Sequence, residues 1–146
     1  MISLYTLGFT KKNASKFFGL LEQNNIKRLV DIRINTSSQL SGFAKDEDLK
    51  YFLERIVHIE YIYIPDFAPT KELFNSYREK KLSWEEYEIE YQNLIRTRKV
   101  REKYSVDDFD GNCFLCSEDL PDKCHRRLLV EYLKNNRDDI IIKHLV

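Results

Sequence analysis

Glycine and proline are scarce in this chain, which has four glycines and three prolines among its 146 residues. So few chain-breaking residues leave little room for linkers or low-complexity segments. Cysteine is scarce as well, and an odd count of three does not suit the disulfide framework of a secreted domain. The cysteine usage therefore predicts a protein of the reducing cytoplasm.

The chain also lacks net charge, because 24 Lys and Arg side chains balance 24 Asp and Glu side chains. No overall field favours nucleic acid, so any phosphate partner would need a local basic patch. No apolar run approaches the roughly 20 residues that cross a bilayer, and the first residues lack the pattern of a signal peptide. We therefore expect no membrane partner.

Hydrophobic residues make up 42% of the chain, which is typical of a folded globular protein, and the length fits one domain over residues 1–146. Apolar segments predict strands at residues 2–7, 29–34, 59–64, 113–116 and 140–145. Helical periodicity predicts helices at 10–25, 46–57, 70–104 with a break near 82, and 123–136. The alternation predicts the α/β class: a three-layer αβα domain with a mostly parallel five-stranded sheet.

Three helix starts are visible in the sequence. Ser83 and Glu86 have the spacing of a capping box, while Thr10 and Asp122 are the predicted N-caps of the first and last helices. If Asp122 caps the last helix, the amides of its first turn and the helix dipole favour an anion there.

The most reactive side chains are concentrated in the segment between the fourth strand and the last helix. They are Cys116, Glu118, Cys124, His125 and Arg126. In an open α/β sheet, this edge is where ligands bind. We predict that the first four are catalytic, with a thiol as nucleophile and Glu118 or His125 as acid or base. Arg126 and the helix amides are predicted to bind an anion.

The first two strands supply further candidate residues. Asp31 and Arg33 are two positions apart and therefore point to the same face of the second strand. We expect them to join the Cys116–Arg126 segment in one polar cleft, together with Ser38, Thr6 and Gly8 as substrate-binding residues. The alternative is that Asp31 and Arg33 only form structural salt bridges.

The same residues could instead have structural roles or bind a metal. His125 could make a structural hydrogen bond, and Cys116 could be a small core residue. Zinc could bind Cys116, Cys124 and His125, but the seven residues between the two cysteines exceed the usual knuckle spacing. We therefore predict no metal and no cofactor.

The favoured function is an enzyme that acts on an anionic, phosphate-bearing substrate, such as a nucleotide or a nucleic-acid end. One alternative is a thiol-based protein of sulfur transfer or redox chemistry. Another is a non-catalytic nucleic-acid-binding module that uses the basic residues near the end of the long helical segment. These are Arg96, Arg98, Lys99, Arg101 and Lys103.

Four motifs carry a family resemblance. They are Y-T-x-G-F-T from Tyr5, L-V-D-I-R from Leu29, Y-x-Y-x-P from Tyr61, and L-C-S-E…C-H-R-R-L over 115–128. The chain resembles the domain-of-unknown-function 488 family over almost its whole length. This resemblance implies an α/β fold and marks as site residues Cys116, Glu118, Cys124, His125, Arg126, Asp31, Arg33 and Ser38. A weaker likeness to rhodaneses implies an anion-cradling loop after Cys116.

Overall fold

The computed structural model describes residues 1–37, 42–118 and 120–146. Within these ranges, five strands form one all-parallel sheet in the order β3-β2-β4-β1-β5. The strands are β1 (Ile2–Gly8), β2 (Arg28–Asp31), β3 (Glu60–Tyr63), β4 (Asn112–Cys116) and β5 (Ile140–Leu145). The predicted α/β class with a parallel five-stranded sheet is confirmed.

Helices cover both faces of the sheet. They are α1 (Ala14–Gln23), α2 (Asp46–Phe52), α3 (Lys71–Arg78), α4 (Trp84–Thr97), α5 (Val100–Lys103) and α6 (His125–Lys134). A π-helical turn over Leu53–Val57 continues α2. Among the described residues, none of these helices combines the length and the apolar character needed to span a bilayer.

Two separate apolar cores lie above and below the sheet, as its three layers require. One core contains Leu29 and Leu115 and is covered by α1 and α2; we call this side the α1 face. The other contains Val30 and Phe114 and is covered by α3 to α6; we call it the α6 face. Because successive strand residues point to opposite faces, each strand contributes to both cores.

A row of aromatic rings crosses the α6 face between α3 and the start of α6. The ring centroids of Tyr77 and Trp84 are 5.6 Å apart, and those of Trp84 and Tyr87 are 5.3 Å apart. Tyr87 stacks on Tyr91 at 6.4 Å, and Tyr91 meets the His125 ring edge-on at 5.5 Å. These rings join α3, α4 and α6 into one layer.

The predicted break in the long helical segment is confirmed, because α3 ends at Arg78 and α4 begins at Trp84. The capping box is present in full. Ser83 Oγ accepts from the Glu86 N–H at 3.1 Å, and Glu86 Oε1 accepts from the Ser83 N–H at 3.0 Å. Two N–H groups at the start of α4 thus find side-chain acceptors.

Removing this cap has a measurable cost. Ser83→Ala is expected to lower the free energy of unfolding by about 1 kcal/mol, because one amide of the first turn loses its acceptor. Urea denaturation measures the change. Glu86→Gln keeps an acceptor at the same position and serves as the control, with little expected effect. Equal stability of Ser83→Ala and wild type would contradict the role of the cap.

The two other predicted N-caps are wrong. Helix α1 begins at Ala14, and its cap is Asn13, whose Oδ1 accepts from the Lys16 N–H at 2.8 Å. Thr10 instead donates its hydroxyl to the Ser117 carbonyl at 2.5 Å. Helix α6 begins at His125 with Cys124 at the cap position and no side-chain cap bond. The residues before it form a turn closed by the Cys124 N–H on the Pro121 carbonyl, so the helix starts later than predicted.

Candidate functional site

At the centre of the sheet, the connections that follow two neighbouring strands, β2 and β4, run toward opposite edges. Strands β1 and β4 are neighbours, and Gly8 lies in register with Cys116 at their carboxyl ends. The chain leaves β4 through α6 toward β5 at one edge of the sheet, whereas β2, the neighbour of β4 on its other side, leads through α2 toward β3 at the opposite edge. In parallel α/β sheets, ligands bind in the crevice that such a divergence creates. Cys116 therefore lies where a binding site is expected.

Three donor side chains meet at this point: Cys116, Cys124 and His125, which we call the Cys–His cluster. Each is buried, and their Sγ and ring nitrogen atoms lie within 4.8 Å of one another. The His125 Nε2 lies 2.8 Å from the Ile32 carbonyl oxygen, which can only accept, so Nε2 carries the proton. In the neutral ring, Nδ1 is then an acceptor, and it lies 3.5 Å from Cys116 Sγ.

The three cysteines have different acid strengths. Burial raises the pKa of the Cys116 thiol, but a hydrogen bond from Cys124, the charge of Arg126 and two backbone N–H groups outweigh burial and lower it overall. Burial and the neighbouring Cys116 raise the pKa of Cys124 well above its usual range. Burial also raises the pKa of Cys113, which faces α1. Cys116 is therefore the thiol that most readily becomes a thiolate.

Arg126 holds the loop after β4 against the end of β1. Its guanidinium is fully buried, and Nη1 donates to the Glu118 backbone carbonyl. A Cβ atom on Gly8 would lie 1.5 Å from that same carbonyl oxygen and 2.9 Å from Arg126 Nη1. Only glycine leaves space for the loop here. Arg126 and Gly8 thus have an architectural role in the site, and their contact with a substrate stays a prediction. The Glu118 residue itself is exposed.

Thr6 points to the α6 face and has a partner that the sequence did not reveal. Its Oγ1 lies 2.6 Å from Nδ1 of His144 on the neighbouring strand β5. Burial and the charge of Arg126 lower the pKa of His144. The signal in the sequence was the alternation along β5, which places His144 on the same face as Ile142. A substrate contact of Thr6 stays a prediction.

A second polar cluster lies at the carboxyl end of β2. Arg33 donates to Asp31 through Nε at 2.8 Å and Nη2 at 2.7 Å, and the Tyr61 hydroxyl donates to Asp31 Oδ2 at 2.6 Å. Burial opposes the charge on Arg33, but Asp31 raises its pKa overall. Burial and Asp31 also raise the pKa of Tyr61. The guanidinium lies over the Phe9 ring at 5.4 Å. We call this set the Asp–Arg–Tyr cluster.

The two clusters lie on opposite faces of the sheet. Asp31 is in register with Leu115, which points to the α1 face, whereas Cys116 is one residue further and points to the α6 face. The prediction that Asp31 and Arg33 share one cleft with His125 is therefore wrong, although β2 and β4 are neighbours. A substrate role for Asp31 and Arg33 stays a prediction, and Ser38 lies outside the described residues.

Other surfaces give weaker support for a site. A hollow of about 430 Å³ lies at the opposite, amino-terminal end of β2 and β3, around Asn25, Lys27 and His58. This edge of a parallel sheet is not where ligands usually bind. Its lining comes from the end of α1, the turn into β2 and the end of the π-helical turn, and no group of three His, Cys, Asp or Glu side chains within the described ranges lies there.

Much of the basic segment after α4 serves the fold. Arg98 donates to the Asp66 carbonyl at 2.9 Å, and Lys103 lies 3.7 Å from the Asp66 carboxylate. Arg101 stacks on the Tyr132 ring at 3.7 Å and donates to its carbonyl. These contacts occupy donors that a phosphate backbone would need, and the Asp66 carboxylate offsets part of the charge of Lys103. Nucleic-acid binding through this segment stays a prediction.

Comparison with known proteins places the chain in a family. No curated protein and no solved structure matches it. A sequence model of one family matches residues 13–133, a range that includes both the Cys–His cluster and the Asp–Arg–Tyr cluster. Because this match covers most of the chain, the protein belongs to the family described as domain of unknown function DUF488.

Proposed function

We propose that this protein is an enzyme in which Cys116 attacks an anionic, phosphate-bearing substrate. One observation carries the proposal: Cys116 Sγ lies 3.5 Å from the acceptor nitrogen of His125. The Ile32 carbonyl accepts from the other ring nitrogen, Nε2, which leaves Nδ1 free of a proton and able to accept one. A nucleophile beside a base that a third group orients is the arrangement of covalent catalysis.

The site supplies the groups that one covalent cycle needs. His125 Nδ1 accepts the Cys116 proton, and the thiolate forms an S–P bond while the P–O bond to the leaving group breaks. The leaving oxygen takes the proton back from His125. Water then attacks phosphorus and gives a proton to His125 or to the Glu118 carboxylate, which is exposed on the adjacent loop, while the S–P bond breaks and the thiolate is regenerated.

The preference for an anion follows from the positive groups around Cys116. Helix α6 has ten residues, and no side chain caps its amino terminus, which lies beside the thiol. The partial positive charge of that terminus and the full charge of Arg126 both favour negative charge at this edge. Although burial raises the pKa of Cys116, a hydrogen bond from Cys124 and the charge of Arg126 lower it overall, which supports its role as nucleophile.

Alkylation tests the nucleophile directly. In metal-free protein at pH 7, we expect iodoacetamide to modify Cys116 at least about tenfold faster than Cys113 or Cys124, as measured by peptide mass spectrometry. His125→Ala should lower hydrolysis of a small aryl phosphate by about 100-fold, because the base is lost. Cys113→Ala is the matched control. Equal labelling of the three thiols would contradict the proposal.

A second candidate function is sulfur transfer, because Cys124 lies directly beside Cys116 within the same cluster. Here the Cys116 thiolate would attack the outer sulfur of a donor such as thiosulfate, forming a persulfide and releasing sulfite. Mass spectrometry of Cys116 separates the two functions. A phosphoryl adduct after incubation with the aryl phosphate supports the first, whereas a persulfide after incubation with thiosulfate supports the second.

A further inference from the structure

We propose that the Cys–His cluster is also a zinc site, in which Cys116 Sγ, Cys124 Sγ and His125 Nδ1 bind one Zn²⁺ that masks the nucleophile. The masking rests on the proposed function, whereas the binding site does not. The sequence alone predicted no metal because seven residues separate the two cysteines. In the folded chain the two cysteines are close, because the loop after β4 turns back and places Cys124 at the start of α6.

The spacing of the donor atoms fits a tetrahedral metal ion. With Zn–S of about 2.3 Å and Zn–N of about 2.05 Å, a sulfur and a nitrogen on neighbouring corners are about 3.6 Å apart. Cys116 Sγ and His125 Nδ1 are 3.5 Å apart. The third donor, Cys124 Sγ, lies within 4.8 Å of both. An approach of Cys124 Sγ, and a turn of the imidazole ring whose Nε2 is 4.0 Å from the Cys116 sulfur, would complete three corners of the tetrahedron.

The orientation of His125 is a second, independent observation. Metal-binding histidines usually donate their other ring N–H to a carbonyl or carboxylate, which fixes the ring and its tautomer. The Ile32 carbonyl accepts from Nε2 at 2.8 Å and leaves Nδ1 without a proton, 3.5 Å from Cys116 Sγ. The edge-on contact of the ring with Tyr91 further restrains it. The fold thus holds the His125 ring in place.

The donor set selects the class of metal. Two thiolates and an imidazole are soft to intermediate ligands, which suit Zn²⁺ and exclude Mg²⁺ and Ca²⁺ as preferred ions. Two thiolates also neutralise the charge of Zn²⁺, so the nearby Arg126 does not face a net positive centre. Among the described residues, the cluster contains no fourth His, Cys, Asp or Glu. The fourth position is therefore left to water or a small ligand.

Zinc and substrate would compete for the same sulfur. A metal-bound Cys116 has its lone pair engaged and cannot attack an electrophile at the rate of the free thiolate. The cluster thus has two states, one metal-free and reactive and one zinc-bound and masked. Metal supply would then control the activity of the site.

Titration with a chromophoric zinc chelator as competitor tests the binding site. We expect one Zn²⁺ per chain, no competition by Mg²⁺, and affinities at least about tenfold weaker for Cys124→Ser and for His125→Ala. Cys113→Ala, on the α1 face, should bind like wild type. Circular dichroism shows whether each variant is folded. In wild type, Co²⁺ in place of Zn²⁺ gives the visible absorption of a tetrahedral thiolate site without any mutation. Absence of stoichiometric binding, or equal affinity of Cys124→Ser and wild type, would overturn the inference.

Alkylation of wild-type protein with and without Zn²⁺ tests the masking. One equivalent of Zn²⁺ should protect Cys116 from iodoacetamide, and a strong chelator should restore its labelling. Selective labelling of metal-free Cys116 without zinc binding would leave the proposed function intact and remove this inference. Zinc binding without selective labelling of metal-free Cys116 would do the reverse.

Discussion

Gly8→Ala is expected to destabilise the protein by more than about 3 kcal/mol, beyond the usual range for an overpacked core. The added Cβ would lie 1.5 Å from the Glu118 carbonyl oxygen, a distance at which backbone must move. The loop after β4 would leave the end of β1, and Arg126 would lose the carbonyl that it binds. Urea denaturation measures the loss of stability, and iodoacetamide labelling measures the exposure of Cys116.

Gly19→Ala is the matched control with the opposite sign. Gly19 lies inside α1, and a Cβ there meets nothing within 4 Å. Alanine is the better helix former, so this substitution should raise the free energy of unfolding by about 0.5–1 kcal/mol. Equal effects of the two substitutions would show that the loop does not depend on the close approach at Gly8.

The second large effect is expected at the buried ion pair. Asp31 is 0% exposed and Arg33 is 2% exposed, so Asp31→Asn leaves a guanidinium without its counter-charge inside the protein. Removing one partner of a buried pair usually costs about 3–5 kcal/mol. The Tyr61 hydroxyl also loses a charged acceptor. We expect a loss in that range, measured by urea denaturation at pH 7.

An exposed pair of the same residue types and spacing provides the control. Arg137 donates to Asp139 at 2.6 Å, but both side chains lie at the surface. Asp139→Asn should therefore change stability by no more than the error of measurement, because solvent screens the pair. If Asp31→Asn were as mild as Asp139→Asn, Arg33 would have another way to satisfy its charge, and the pair would not stabilise the fold.

The sheet was predictable because its strands are short apolar runs separated by helical periodicity. Strand β4, with residues buried on both faces, is continuous apolar sequence from Cys113 to Cys116, as a central parallel strand should be. The break between α3 and α4 was predictable for a different reason. Ser83 and Glu86 satisfy each other locally, so no tertiary contact was needed to see where the helix starts.

The arrangement of the site was only partly predictable. Cys116, Cys124 and His125 lie near one another in the chain, and their meeting required only a loop. The relation of Asp31 to Cys116 depends on the register between two strands far apart in sequence. A shift of one residue reverses the face to which a side chain points, and nothing in either strand fixes that register locally. The hydrogen bond from Tyr61 to Asp31 was not predicted for the same reason, since the two residues lie on different strands.

The aromatic row on the α6 face has a practical consequence. Trp84 is the chain's single tryptophan, and it stacks on Tyr87 while the guanidinium of Arg127 lies over its ring at 6.0 Å. Its indole fluorescence therefore comes from one place, the seam between α4 and α6. Any event that shifts the helix carrying His125, including occupation of the thiol site, can be followed through the intrinsic emission of the unlabelled protein.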